Sequence, residues 1–105
     1  MQVLFESRDP EGVRLRRLAT TRARFVMRRL AWMVPRARVE LTDINGPRGG
    51  VDKRCRVELR TEGAGTLVVT SLARDWRVAL NSALARAARV LVRALRRRTP
   101  TLAAS

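Results

Sequence analysis

The sequence predicts an α+β sandwich, a four-stranded sheet with two helices packed on one face, in the double-stranded-RNA-binding-like arrangement. Three observations carry that expectation. Four short stretches alternate apolar and polar residues, two longer ones place apolar residues every three or four positions, and turn-forming residues separate them. The resulting order is strand, helix, three antiparallel strands, helix. At 105 residues, 46% of them hydrophobic, the chain suffices for one small core. One domain is expected over residues 1–98, with a disordered tail over 99–105.

Val3 and Phe5 alternate with Gln2, Leu4 and Glu6, predicting a first strand that ends near Asp9-Pro10. Asp9-Pro10-Glu11-Gly12 breaks it and starts a helix, with acids where the positive end of the helix dipole favours them. From Val13 to Met33, Leu15, Ala19, Ala23, Val26, Leu30 and Met33 recur at helical spacing, predicting one amphipathic helix roughly 30 Å long. Arg14, Arg17, Arg24 and Arg28 lie opposite that seam. Leu18, Phe25 and Trp32, spaced by seven, run between the two faces. They are expected to pack against a sheet edge; the alternative is stacking on a base or sugar.

Pro35 stops the helix, and Ala37, Val39 and Leu41 alternate with Arg36, Arg38, Glu40 and Thr42 as a second strand. Asp43 to Gly50 reads as a hairpin loop. Its glycines do not make a phosphate loop, because the Gly-Lys-Ser/Thr ending is missing and a strand follows rather than a helix. In that third strand Val51, Lys53, Cys55, Val57 and Leu59 alternate with charged residues, which suits cross-strand pairs of Arg38 or Glu40 with Arg56 or Glu58. Glu62 to Gly65 turns the chain, and Thr66 to Leu72 form a fourth strand. Asp75 can cap a final helix running to Arg98. Trp76, Leu80, Ala83, Leu84, Ala87, Leu91, Ala94 and Leu95 fall on one side of it, and Arg86, Arg89, Arg93, Arg96 and Arg97 on the other.

The two helices hold the charge excess. The chain has 23 basic residues, all arginine except Lys53, against 9 acids, for a net charge of +14. Residues 13–33 carry seven arginines and no acid, and residues 74–105 carry eight arginines and one acid. Arginine's planar fork suits phosphate, so the surface points to nucleic acid; an acidic protein or an anionic membrane would answer the same charge. Nine arginines form the candidate RNA-binding set: Arg86, Arg89, Arg93, Arg96 and Arg97 with Arg14, Arg17, Arg24 and Arg28.

Enzymatic chemistry finds few groups to work with. There is no histidine and no tyrosine, which excludes an imidazole base and a histidine-activated nucleophile. A lone Cys55 allows no intrachain disulfide and, without histidine, no ordinary zinc site. Beside Arg54 and Arg56 its thiol would acidify if it shared their face, but strand alternation points it into the core. We therefore expect a non-enzymatic cytoplasmic protein, monomeric in isolation, with no cofactor, metal or small-molecule substrate. No export signal or membrane-spanning run is expected either.

The run from Arg38 to Leu59, with Asn45-Gly46-Pro47-Arg48-Gly49-Gly50-Val51-Asp52-Lys53-Arg54-Cys55 at its centre, resembles the central hairpin of a bacterial branch of the ribosome hibernation-promoting factor family, also called ribosome-associated inhibitors. A weaker resemblance extends over residues 2–98 through the same element order. Arg86, Arg89 and Arg93 match the family's basic positions on the last helix, whereas Arg77 stands where the family usually has tyrosine. The resemblance implies a β-α-β-β-β-α domain of a short family member. Such a domain sits on the mRNA and tRNA path of the small ribosomal subunit, contacts its rRNA, and silences idle ribosomes under stress without catalysis. Three alternatives stay open beside it: a general RNA- or DNA-binding module acting off the ribosome, an amphipathic protein that binds a membrane surface or a partner, and a structural ribosomal protein present in every ribosome.

Overall fold

In the computed structural model the chain is described over residues 1–45 and 50–104, with side chains up to Arg97. β1 (Gln2–Ser7) leads through a one-turn α1 (Pro10–Val13) into α2 (Arg16–Val26), a 3₁₀ turn (Ala31–Met33) and then β2 (Arg36–Asp43). β3 (Lys53–Arg60), β4 (Thr66–Ala73) and α3 (Trp76–Ala104) follow. The four strands lie side by side in chain order, with β1 parallel to β2 and the remaining pairs antiparallel. Parallel pairing of β1 with β2 needs a crossover, and α1 and α2 supply it. The expected α+β sandwich is therefore the observed one.

Register decides which residues meet beneath the helices. Val3, Ala37, Leu59 and Leu67 form one row across the inner face; Phe5, Val39, Val57 and Val69 form the next, and Ser7, Leu41, Cys55 and Ser71 the third. The central members, Ala37, Val39, Leu41, Cys55, Val57 and Leu59, are fully buried. α2 packs on β1, α3 packs on β3 and β4, and the two helices touch. Alanines at Ala19, Ala23, Ala79, Ala83 and Ala87 keep the buried helix faces thin, so that Leu80, Leu84 and Leu91 can reach the sheet. Since β1, β2 and β4 all run one way and each helix returns from one of them, α2 and α3 run parallel.

The loops fasten the end where both helices begin. Ser7 Oγ donates to the Leu41 carbonyl at 2.8 Å and accepts from Asp9 N–H at 3.3 Å. Asp9 does not cap α1 with its side chain; its Oδ2 accepts instead from the backbone N–H of Asp43 at 3.0 Å. Trp76, buried at the start of α3, donates through Nε1 to Glu11 Oε2 at 3.2 Å, and Lys53 Nζ lies 5.4 Å from its ring centroid. Asp75 Oδ1 caps α3 by accepting from the N–H groups of Arg77 and Val78 at 2.7 and 3.3 Å, as its position predicts.

The first helical region departs from the expected single helix over 13–33. Beyond Val26 the backbone tightens into i→i+3 turns: Arg28 N–H to Phe25 O, Leu30 N–H to Met27 O, Met33 N–H to Leu30 O and Val34 N–H to Ala31 O. Met33, a member of the predicted seam, is fully buried there with Met27 and Val34, while the seam residues Val26 and Leu30 are partly buried against the core. Phe25 on the last turn of α2 and Trp32 in the 3₁₀ turn both point outward, so the expected packing of that flank on a sheet edge is not adopted by either aromatic; Leu18 alone is half-buried. β3 begins two residues later than expected, leaving Val51 exposed and Asp52 buried. α3 continues to Ala104, over residues expected as a tail. Its 29 residues span about 43 Å, against about 27 Å for an eight-residue strand, so its C-terminal part projects past the sheet. Gly46 to Gly49 of the hairpin motif lie outside the described residues.

Candidate nucleic-acid interface

All nine candidate arginines are exposed. Arg17 and Arg24 lie on α2, Arg14 just before it and Arg28 in the turn after it; Arg86, Arg89, Arg93, Arg96 and Arg97 lie on α3. The buried faces of both helices point at the sheet, so these side chains share the solvent side of the helical layer. They do not form two adjacent rails. Arg24 Nη1 donates to the Met1 carbonyl at 3.1 Å, on the β1 side of the layer. Arg86 Nη1 donates to the Thr70 carbonyl at 2.7 Å and to Ser71 Oγ at 3.4 Å, on the β4 side. Between the helices lies a different pair, Arg22 Nη1 donating to Asn81 Oδ1 at 3.3 Å. The basic surface is thus splayed towards both sheet edges, with Arg22 marking its midline.

Among the described residues no carboxylate forms an ion pair with any of the nine arginines. The ion pairs among the described residues are Arg38–Glu6, Lys53–Asp43, Lys53–Asp52, Arg54–Glu40 and Arg56–Glu58, all on the strands or their immediate flank. On the outer face, register sets Arg38 opposite Glu58 and Glu40 opposite Arg56, as the alternation predicts, although the pairs formed are with Glu6, Arg54 and the same strand. The Arg38 guanidinium is held above its ordinary value first by its hydrogen bond to Glu6. The sheet side is therefore compensated in large part, with Arg36 and Arg60 the exceptions, and the helical side is not. On α3, Arg89, Arg93 and Arg96 rim a shallow groove floored by Ala88 and Val92, and an extended sugar-phosphate chain suits that combination of charge and apolar floor.

Arg77 sits in different company. It lines a cleft with Glu11, Arg14, Leu15, Asp75 and Trp76, where two acids share the site with the basic groups. A second cleft is lined by Glu6, Arg8, Asp9, Glu40, Thr42 and Arg54, and its carboxylates already hold Arg38, the Asp43 N–H and Arg54. Cys55 lies fully buried where alternation puts it, and burial pushes its thiol up to about 12. Among the described residues no group of three His, Cys, Asp or Glu side chains comes together that could hold a metal.

Two features of the surface escape a reading by periodicity. The Arg86 bond to the free edge of β4 depends on tertiary placement; its one trace in the sequence is Ser71, a hydroxyl at an inward position of an apolar strand, which meets Ser82 Oγ at 3.2 Å. Phe25 is exposed on the last turn of α2 and Trp32 in the 3₁₀ turn that follows. No helix among the described residues is long and apolar enough to cross a membrane. The chain matches no protein-family model and no curated protein.

Proposed function

We infer that this chain is a non-catalytic ribosome-binding protein. It lays its helical layer against rRNA of the small ribosomal subunit, occupies the mRNA and tRNA path, and so inhibits translation in idle ribosomes. The observation that carries the reading is the segregation of charge: nine exposed arginines on one layer, none in an ion pair among the described residues, opposite a sheet face where Glu6, Glu40 and Glu58 pair with Arg38, Arg54 and Arg56 and only Arg36 and Arg60 stand without an ion pair. Such a surface meets folded RNA through phosphates and shape rather than base edges. The resemblance of residues 38–59 to the hibernation-factor hairpin selects the ribosome among RNA partners, and a cytoplasmic location and bacterial origin go with it.

A general RNA- or DNA-binding module acting off the ribosome is the second reading, favoured by the same arginines taken without the hairpin. The membrane-surface alternative needs the apolar helix faces turned outward, and those faces are in the core. Sedimentation of cell lysate through gradients at low and high salt separates the readings. Comigration with small subunits at low salt, released at high salt and reduced by added mRNA and tRNA, is the expected result. A protein that stays at the top of the gradient while ribosomes are intact at low salt refutes the ribosomal reading.

A further inference from the structure

The end of α2 and the turns after it hold two large aromatic side chains in water. Phe25 is 62% exposed and Trp32 68% exposed, whereas Phe5 is half-buried and Trp76 buried. Leaving side chains of this size outside the core forgoes most of the stabilisation their burial would give, and nothing in the packing of Met27, Met33 and Val34 requires an aromatic at either place. Phe25 is also dressed for a particular contact. The Arg28 guanidinium lies 4.1 Å from its ring centroid and is fixed there by Nη1 donating to the Phe25 carbonyl at 2.8 Å. The result is a ring and a guanidinium plane stacked on each other at the surface, a unit that binds flat π systems.

Charge says what the flat system belongs to. Residues 12–39 hold nine arginines and no acid, and both aromatics lie inside that span. Arg22 and Arg24 flank Phe25 in sequence and are held by an amide oxygen and a backbone carbonyl, neutral partners that leave their charges uncompensated. An occupant must therefore bring both aromatic faces and a dense negative charge. Unpaired nucleotides bring both; a protein segment would need acids and aromatics interleaved at the same spacing.

We propose that the Phe25–Arg28 stack and Trp32 form a stacking site for unpaired RNA bases, with the flanking arginines taking the phosphates. The site rests on the RNA-binding reading above and narrows it: this end of the surface takes a single-stranded or looped segment rather than a duplex. Base pairs inside a helix hide their faces, while a splayed base offers a face of similar character whatever its identity, so binding here is sequence-tolerant.

Trp32 makes the proposal testable with the whole chain, because the only other tryptophan, Trp76, is buried. The probes are a 12-nucleotide oligoadenylate and an abasic ribose-phosphate 12-mer carrying the same number of phosphates. Wild-type protein is expected to bind the base-bearing oligomer at least tenfold more tightly, with tryptophan emission quenched by that oligomer and not by the abasic one. Trp32→Phe removes the quench and keeps the affinity within a few fold. The double variant Phe25→Ala/Trp32→Ala, with the far-UV circular dichroism and cooperative thermal unfolding of the wild type, loses at least tenfold for the base-bearing oligomer while its affinity for the abasic one stays at the wild-type level. Equal affinity of the double variant and the wild type for oligoadenylate overturns the stacking site and leaves these aromatics to a protein partner. Equal quenching by the two oligomers, or an equal loss of both by the double variant, overturns it in favour of phosphate contact alone. Those three outcomes spare the arginine interface, whereas a wild-type protein that binds neither oligomer at low salt removes both readings.

Discussion

Arg86 and its neighbours on α3 separate two roles that one triple substitution would confound. Arg89 and Arg93 are exposed on the rim of the α3 groove, whereas Arg86 spends one donor on the Thr70 carbonyl at the open edge of β4. Removing an arginine from one phosphate makes the slope of log K against log salt shallower by roughly 0.7 to 0.9. For Arg89→Ala/Arg93→Ala that is roughly 1.6 in slope. If the two phosphate interactions fade near 1 M salt, small-subunit affinity at 0.1 M falls roughly 40-fold. Stability should hold within about 0.5 kcal/mol, since both side chains leave an exposed helix face for a better helix former. Arg86→Ala should instead cost about 0.5 to 1.5 kcal/mol, the net worth of a hydrogen bond, lowering Tm by roughly 4 °C. Fluorescence titration of purified small subunits between 50 and 200 mM salt, beside thermal unfolding, reads both quantities. Wild-type affinity and slope in the double variant refute α3 as the contact surface; an unchanged Tm in Arg86→Ala refutes its hold on β4.

Three further outcomes follow from the core. A methyl at Gly12 would run into Ser7 Oγ, which is held by the Leu41 carbonyl, so Gly12→Ala should destabilise by about 1 to 3 kcal/mol and Ser7→Ala should recover part of that in the double variant; additive losses in urea unfolding would show that the two do not meet. The folded Cys55 thiol is raised by burial to about 12, so the stability it contributes is complete below the unfolded thiol value near 9 and is lost as pH climbs towards 12. Between pH 8 and 10.5 unfolding free energy should fall by about 2 kcal/mol more in the wild type than in Cys55→Ala, and rapid labelling of the native thiol at pH 8 would contradict its burial. Asp52 is buried with neither carboxylate oxygen hydrogen-bonded, its cation Lys53 standing 3.3 Å from Oδ1 and nearer to Asp43 at 2.8 Å. Asp52→Asn should therefore be tolerated and Lys53→Met be the more damaging change, because the latter leaves the buried Asp52 carboxylate without its cation; the reverse order of Tm values would refute this reading of the cluster.

Elements were legible in the sequence wherever one physical rule decided them. On α3 each of Trp76, Leu80, Ala83, Leu84, Ala87, Leu91 and Ala94 is buried, because a long helix with one apolar side has one way to lie on a sheet. Strand alternation likewise put Val39, Leu41, Cys55, Val57 and Leu59 inward. The region 13–33 failed as a single helix because two rules competed there. Periodicity favoured continuing from Ala23 through Val26 and Leu30 to Met33, but the short reach back to β2 rewarded tightening, which kept Met33 in the core, added Met27 and Val34 to it, and left Val26 and Leu30 partly buried at its margin. Composition located the charge on both helices, yet it could not say that Arg24 and Arg86 lean to opposite sheet edges, since that depends on which strand each helix covers.

The distribution of acids explains how so basic a chain folds without giving up its surface. A net charge of +14 works against compaction through self-repulsion. Compensation placed on the helices would relieve that strain and cancel the field at the same time. Three of the nine acids are instead placed on the outer sheet face, where Glu6, Glu40 and Glu58 pair with Arg38, Arg54 and Arg56 across the side turned away from the helices. The helical arginines find other holds: Met1 O for Arg24, Phe25 O for Arg28, Asn81 for Arg22 and Thr70 O for Arg86. Each of these bonds orients a guanidinium without neutralising it, and each leaves most of that group's donors free. Pre-set orientation lowers the entropy that a contact with phosphate must give up. A lysine at these positions would keep the charge but lose the planar fork that serves a protein oxygen with one edge and a phosphate with the other, which gives a physical reason for arginine on this surface beyond its charge.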